Sequence, residues 1–191
     1  MTFVFIGLPG SGKSTQAERL AQYFNIRYME TGEMFRRAAK ENSERGERIA
    51  RSLALGELVN ESDMEYVLSG LLEAMKGGDP VIVDGFPRDL SQAQKYRKYI
   101  DHCYFLDVPD KICVDRLVRR NRADDEPCVI NLRIQHFWDR TKPMLEWLNE
   151  EGIVTVIDGN RSQEEVFDDL VSHIWGRIAS GEGKIKKVIS N

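Results

Sequence analysis

The stretch 2-TFVFIGLPGSGKST-15 decides how the rest of the chain is read. Thr2–Ile6 is a short run of apolar, β-branched and aromatic residues, the pattern of a buried strand. It runs straight into Gly7, Gly10, Gly12, Lys13 and two hydroxyl residues, Ser14 and Thr15. Residues 7–14 fit G-x-x-x-x-G-K-[ST], with a strand pattern before and a helix pattern, Lys13–Phe24, after. The glycines let the backbone curl so that successive N–H groups face inward, and the loop ends at a helix N-terminus, whose free amides and dipole favour an anion. Gly10, Ser11, Gly12, Lys13, Ser14 and Thr15 therefore form a candidate cradle for a nucleoside triphosphate. Lys13 brings a point charge to the β and γ phosphates, and Ser14 or Thr15 a hydroxyl to phosphate or Mg²⁺.

Working outward, short strand patterns alternate with helix patterns. Val81–Asp84, Cys103–Asp107 and Ile153–Ile157 read as further strands, with a weaker one at Arg27–Met29. Near-continuous apolar runs such as "VIVD" suit a parallel sheet covered on both faces. The helix patterns are Lys13–Phe24, Thr31–Lys40, Glu44–Leu55, Ser62–Met75, Leu90–Tyr99, Lys111–Asn121, Pro127–Thr141 and Gln163–Ile178, and Pro143 is expected to start a new helix. The alternation predicts a doubly wound, three-layer α/β fold with a parallel sheet of about five strands and its ligands at the carboxyl ends of the strands. Two stretches exceed a simple crossover: the all-helical one between the second and third strands, and "RLVRRNRADDEP" between the fourth and fifth. Both would overhang the ligand edge, where mobile lids belong.

Composition narrows the class. A chain of 191 residues suits one such domain; 41% hydrophobic and 30% charged residues suit a soluble globular protein. A net charge of −4 argues against a general nucleic-acid binder, so any basic site must be local. No apolar run is long enough for a membrane span, and "TFVFIG" lacks the features of a signal peptide, so a cytoplasmic location is expected. Cys103, Cys113 and Cys128 form no CxxC pair, which argues against a structural zinc or a disulfide framework. Cys103 and Cys113 sit in apolar settings and read as inert core thiols, and Trp138, Trp147 and Trp175 as core or interface. The three histidines are scattered and receive no role.

The phosphate loop alone does not choose among nucleotide-binding classes. The chain has no Asn-Lys-x-Asp motif for reading guanine, and no Leu-Ser-Gly-Gly-Gln signature, only "LSGLLE". A small-molecule kinase remains, and it needs a second anion site for the acceptor. Residues 31–36 place Thr31 at a helix start with Arg36 beyond it. "VIVDGFPRDLSQ" ends a strand at Asp84, where a metal-side carboxylate stands, then turns through Gly85 and Pro87 to Arg88 and Gln92. A guanidinium fork matches phosphate, and a Gln amide can donate to and accept from a base edge.

"GLPGSGKST", "TGEMFR", "DGFPR" followed by Gln92, "VPDKICVDR" and "RADD" occur in the order and spacing of the nucleoside monophosphate kinases. From Phe3 to about Ile178 the chain resembles that family, most closely its adenylate kinases. The resemblance implies a P-loop NTPase fold whose loop binds ATP with Mg²⁺ near Ser14 and Asp84, directly or through water. It implies an AMP site at Thr31, Arg36, Glu57, Leu58, Val59, Gly85, Arg88 and Gln92. Arg116, Arg120 and Arg161 match positions around ATP, Arg122 and Arg133 those that close over the transferring phosphoryl group, and Asp124 and Asp125 an acidic hinge pair. Lys13, Arg88, Arg120, Arg122 and Arg133 would then be the catalytic set. Arg116 and Arg120, four apart, share one helix face.

Residues 1–179 are thus expected to form one kinase domain, with an acceptor-binding insertion at 30–60 and a short lid at 120–127; residues 180–191 read as a basic tail. The lid is trimmed, with only Asn121 between Arg120 and Arg122, and Ser14 stands where the family usually has Gly. The implied reaction is reversible transfer of the γ-phosphoryl of MgATP to AMP, giving two ADP, by a monomer that binds neither nucleic acid nor membrane. Two alternatives stay open: a UMP or CMP kinase, and a nucleotide-binding regulator without turnover.

Overall fold

The computed structural model describes residues 1–120, 122 and 126–179. Five strands, β1 (Thr2–Gly7), β2 (Arg27–Glu30), β3 (Val81–Asp84), β4 (His102–Asp107) and β5 (Val154–Asp158), form one all-parallel sheet in the order β2-β3-β1-β4-β5. Ten α-helices are described. α1 (Lys13–Phe24) follows β1; α2 (Thr31–Ala38), α3 (Glu44–Ala54), α4 (Glu61–Val67) and α5 (Ser69–Gly77) fill the long β2–β3 connection. α6 (Leu90–Tyr96) follows β3; α7 (Asp110–Arg120), α8 (Pro127–His136) and α9 (Lys142–Glu150) join β4 to β5, and α10 (Gln163–Ala179) follows β5.

Alternation along β1 shows why the sheet is covered on both sides. Successive strand side chains point to opposite faces. Phe3 and Phe5 pack with Ile82, Tyr104 and Leu106 against Ala17, Leu20 and Phe24 of α1 and Val166, Leu170 and Ile174 of α10. Val4 and Ile6 join Val81, Val83 and Cys103 on the other face, against the helices of the β2–β3 connection and Met144 and Leu148 of α9. Every β1 residue is buried, which makes it the central strand.

Several sequence expectations are corrected. The single helix expected over Ser62–Met75 is two, parted at the fully buried Leu68, because the weak helix formers Ser69 and Gly70 follow it. The helix over Leu90–Tyr99 tightens into a 3₁₀ turn at Arg97–Tyr99. Pro143 stands in the first turn of a new helix, α9, as expected, but no loop precedes it: one π-type turn at Phe137–Thr141 joins α8 directly to α9. Pro143 has no N–H for the carbonyl of Asp139, and the wider turn accommodates its ring. Trp147 packs against the core, but Trp138 and Trp175 are 40% and 39% exposed. Cys103 and Cys113 are buried thiols as expected, and burial pushes the Cys113 thiol up to about 11. No helix among the described residues is long and apolar enough to cross a membrane. Half of the expected lid, Asn121 and residues 123–125 with Asp124 and Asp125, and the 180–191 tail lie outside the described residues.

Candidate active site

The carboxyl ends of β1 and β3 open into a cleft of about 460 Å³. The phosphate loop forms one end. No side chain caps α1, so its first-turn amides remain available to an anion. Gly10 and Gly12 have φ of 86° and 91°, and a Cβ on Gly10 would come within 2.4 Å of the Cys113 carbonyl oxygen in α7. The loop thus lies tight against α7, where Arg116 Nη1 donates to Ser11 O at 3.2 Å. Lys13 Nζ donates to Leu8 O at 3.3 Å. The walls withdraw Lys13 from water and lower its pKa; Asp84 opposes this, while Arg88 and Arg120 add to it. By surface area Lys13 is only half-buried, since it faces the cleft, but protein surrounds its charge.

Asp84 is the floor. Ser14 Oγ donates to its Oδ2, and Tyr28 Oη donates to the same oxygen at 3.2 Å. Its Oδ1 is buried with no hydrogen-bond partner. Burial, then the charges of Asp84 and Glu30, push the Tyr28 hydroxyl well above its usual range, so it stays a donor. Thr31 begins α2 fully buried, and its hydroxyl donates to Asp84 O at 3.1 Å. Among the described residues, no group of three or more His, Cys, Asp or Glu could hold a metal ion. One carboxylate with an unpartnered oxygen beside one hydroxyl fits Mg²⁺, which is held largely by phosphates and water and needs few protein ligands.

The far end is built by the β2–β3 connection and the β3–α6 turn. Arg36 lies between two carboxylates, with Nη2 donating to Glu30 at 2.8 Å and Nε to Glu33 at 3.1 Å. Withdrawal from water disfavours its charge, but these two partners outweigh that and raise its pKa. Arg88 Nε donates to Gly85 O at 2.8 Å, while Thr141 Oγ1 donates to Arg88 O at 2.8 Å. Arg88 N donates to Gln92 Oε1 at 2.9 Å; that bond fixes the amide orientation and leaves its NH₂ to donate. Arg88 reaches solvent in the cleft, yet the walls around it disfavour its charge, with Asp84 opposing and Arg133 and Arg36 repelling. It remains a cation, because guanidinium is not deprotonated in proteins.

Glu57, Leu58 and Val59 line this end from the turn after α3. That turn sits on α8: His136 Nδ1 donates to Gly56 O at 2.9 Å, and a Cβ on Gly56 would lie 3.4 Å from Val129 Cγ1. Arg116 and Arg120 from α7, Arg122, and Arg133 from α8 also line the cleft. Arg161 lines the phosphate-loop end, its Nε donating to Asp158 O at 3.2 Å and its Nη2 to Asp169. Of the site residues expected from sequence, all but the buried Thr31 line this cleft.

A profile of the family described as adenylate kinase matches residues 5–153. Curated relatives named adenylate kinase cover most of the chain. One from Phocaeicola vulgatus is 31% identical over 91% of this chain and 98% of its own. Adenylate kinase 1 of Nostoc sp. is 33% identical over 87% and 95%, and adenylate kinase 1 of Synechocystis sp. 34% over 87% and 93%. The chain belongs to the adenylate kinase family. The adenylate kinase match takes in the phosphate loop, the acceptor insertion and α7 to α9; of the expected site residues only Arg161 falls beyond it.

Glu30, His136 and Thr141 of the cleft lining escaped the sequence reading, and so did Tyr28, which donates to Asp84. Tyr28 and Glu30 share one face of β2, two apart on a strand whose pattern was weak. His136 lies three residues after Arg133 on α8, so helical spacing from an expected site residue was the signal that could have found it.

Proposed function

We propose that the protein, acting as a monomer, transfers the γ-phosphoryl of MgATP reversibly to AMP, giving two ADP. One observation carries this reading. A single cleft holds an uncapped phosphate loop, the Arg36–Arg88–Gln92 set and four further arginines, Arg116, Arg120, Arg122 and Arg133, in one lining. One chain supplies both ends, so no partner subunit is needed.

Phosphoryl transfer asks mainly for in-line positioning and positive charge on the equatorial oxygens. In this reading the loop amides and Lys13 hold the β and γ phosphates, and Arg116, Arg120 and Arg161 hold the rest of ATP. Arg36 and Arg88 fix the acceptor phosphate, and Arg122 and Arg133 gather the charge that develops between the nucleotides. Mg²⁺, when bound, would neutralise phosphate charge. Ser14 and Asp84 would hold it, directly or through water; Tyr28 and Ser14 tie down Oδ2, while Oδ1 is left without a hydrogen-bond partner.

Gln92 bears on the choice between purine acceptors. Its carbonyl is engaged by the Arg88 N–H, so it offers donors. Adenine presents an acceptor at N1, whereas guanine presents an N–H there and would set donor against donor. No observation favours a pyrimidine acceptor, and a regulator without turnover would have no use for Arg122 and Arg133. The test is ADP formation from ATP with AMP, CMP, UMP and GMP as acceptors. The proposal expects the highest kcat/KM for AMP; a higher value for UMP or CMP would replace it with the pyrimidine kinase.

A further inference from the structure

This inference rests on the acceptor reading above and concerns the anion already at that site. Glu30 ends β2 beside Asp84 of β3 in the parallel register. Its side chain lines the cleft, 26% exposed, and its Oε1 accepts from Arg36 Nη2 at 2.8 Å. Gly32 leaves room for the pair: a Cβ there would lie 3.1 Å from Arg36 Nη1 and 3.5 Å from Glu30 Oε1. Glu33 holds the other edge of the guanidinium, but it is shared with Arg37, is 44% exposed and does not line the cleft. Arg88 is disfavoured as a cation chiefly by withdrawal from water, and the charge of Glu30, after that of Asp84, also acts to support it. One carboxylate therefore acts on both guanidiniums assigned to the acceptor's phosphate.

We propose that Glu30 is an internal counter-ion that stands in for the acceptor's phosphate, holding Arg36 in the cleft and competing with the incoming phosphate for it. A phosphate dianion that grips Arg36 with two parallel bonds must engage Nη2, the nitrogen that Glu30 already holds, or the neighbouring Nη1 beside it. It must then sit beside the Glu30 carboxylate, which repels it. That repulsion acts on the bound ground state and on the transition state alike, so it weakens acceptor binding without slowing the chemical step. Glu30 thereby sets the acceptor KM and favours product departure, and it discriminates for dianionic phosphate over weaker anions.

Glu30→Gln keeps the shape and an oxygen for Arg36 but removes the charge. The expected result is an AMP KM lowered by about fivefold or more, with the ATP KM within about twofold and kcat not raised. Calorimetric titration without ATP should show both AMP and inorganic phosphate binding more tightly to the variant. Glu33→Gln should move these values by less than about twofold, since its partner bond lies outside the cleft. Unchanged or weaker binding of AMP and phosphate to Glu30→Gln would overturn the proposal and make Glu30 a structural support for Arg36. If the wild type does not phosphorylate AMP, the acceptor reading falls; the phosphate titration still decides whether Glu30 competes at Arg36.

Discussion

Lys13 is the side-chain charge that the phosphate loop itself brings to the cleft, and protein walls keep it partly out of water, so its electrostatic effect on a bound polyphosphate is large. Lys13→Met should lower kcat by roughly 10²-fold or more while ATP binding falls less, because the loop amides remain. Steady-state kinetics together with ATP titration separate the two effects; turnover within about tenfold of wild type would remove Lys13 from the chemistry. At this scale the sequence was legible where chemistry and backbone are local. Gly10, Gly12 and Lys13 lie within four consecutive residues, and their pattern has one structural solution after a strand. Glu30 was not legible, because its meaning comes from its ion pair with Arg36 in the cleft lining, six residues on. Nor was Tyr28, whose partner Asp84 is 56 residues away.

Elements carry the next level of the account. The β2–β3 connection is held by two devices that sequence periodicity does not reveal. His136 of α8 reaches the Gly56 carbonyl, 80 residues distant, and seats the turn that carries Glu57, Leu58 and Val59. His136→Ala should raise the AMP KM several-fold and leave the ATP dissociation constant unchanged, and His136→Asn, whose amide N–H can replace Nδ1–H, should restore it. Equal loss in both variants would point to packing of the ring instead. The second device is Asp63 of α4, 2% exposed, which accepts from Arg45 and Arg48 of α3 and from Asn60. The hydrogen bond from Arg48 chiefly, against the cost of burial, holds its carboxyl well below the usual carboxylate range. Its contribution to stability is therefore fully present above the unfolded value of about 3.9 and is lost as pH falls through the lower folded value. Asp63→Asn should lower Tm at neutral pH, and the gap to wild type should close as the pH drops below about 4. A gap that stays constant in Tm scans down the acid range would exclude this linkage. The strands and most helices followed from apolar periodicity, but the break at Leu68 and the π-type turn before Pro143 did not. Both are fixed by packing and backbone hydrogen bonding over several residues, which a period does not record.

Across the whole molecule, charges from four separate segments converge although the chain is acidic overall: Lys13 on α1, Arg36 on α2, Arg88 after β3, and the arginines of α7 and α8 with Arg122 between. We expect Arg122 and Arg133 to act mainly once both nucleotides are bound. Arg122→Ala and Arg133→Ala should then lower kcat strongly with little change in ATP affinity measured without AMP, whereas Arg120→Ala should raise the ATP KM as well. Near-wild-type kcat in the first two variants would remove them from the transfer step. The central claim is that this one cleft passes a phosphoryl group straight from one nucleotide to the other. It is tested most directly by ³¹P NMR of the wild-type protein with ATP, AMP and Mg²⁺. The account predicts that ATP and AMP decline together while two ADP form for each pair consumed, with little orthophosphate. Growth of the orthophosphate signal with AMP unchanged would contradict it.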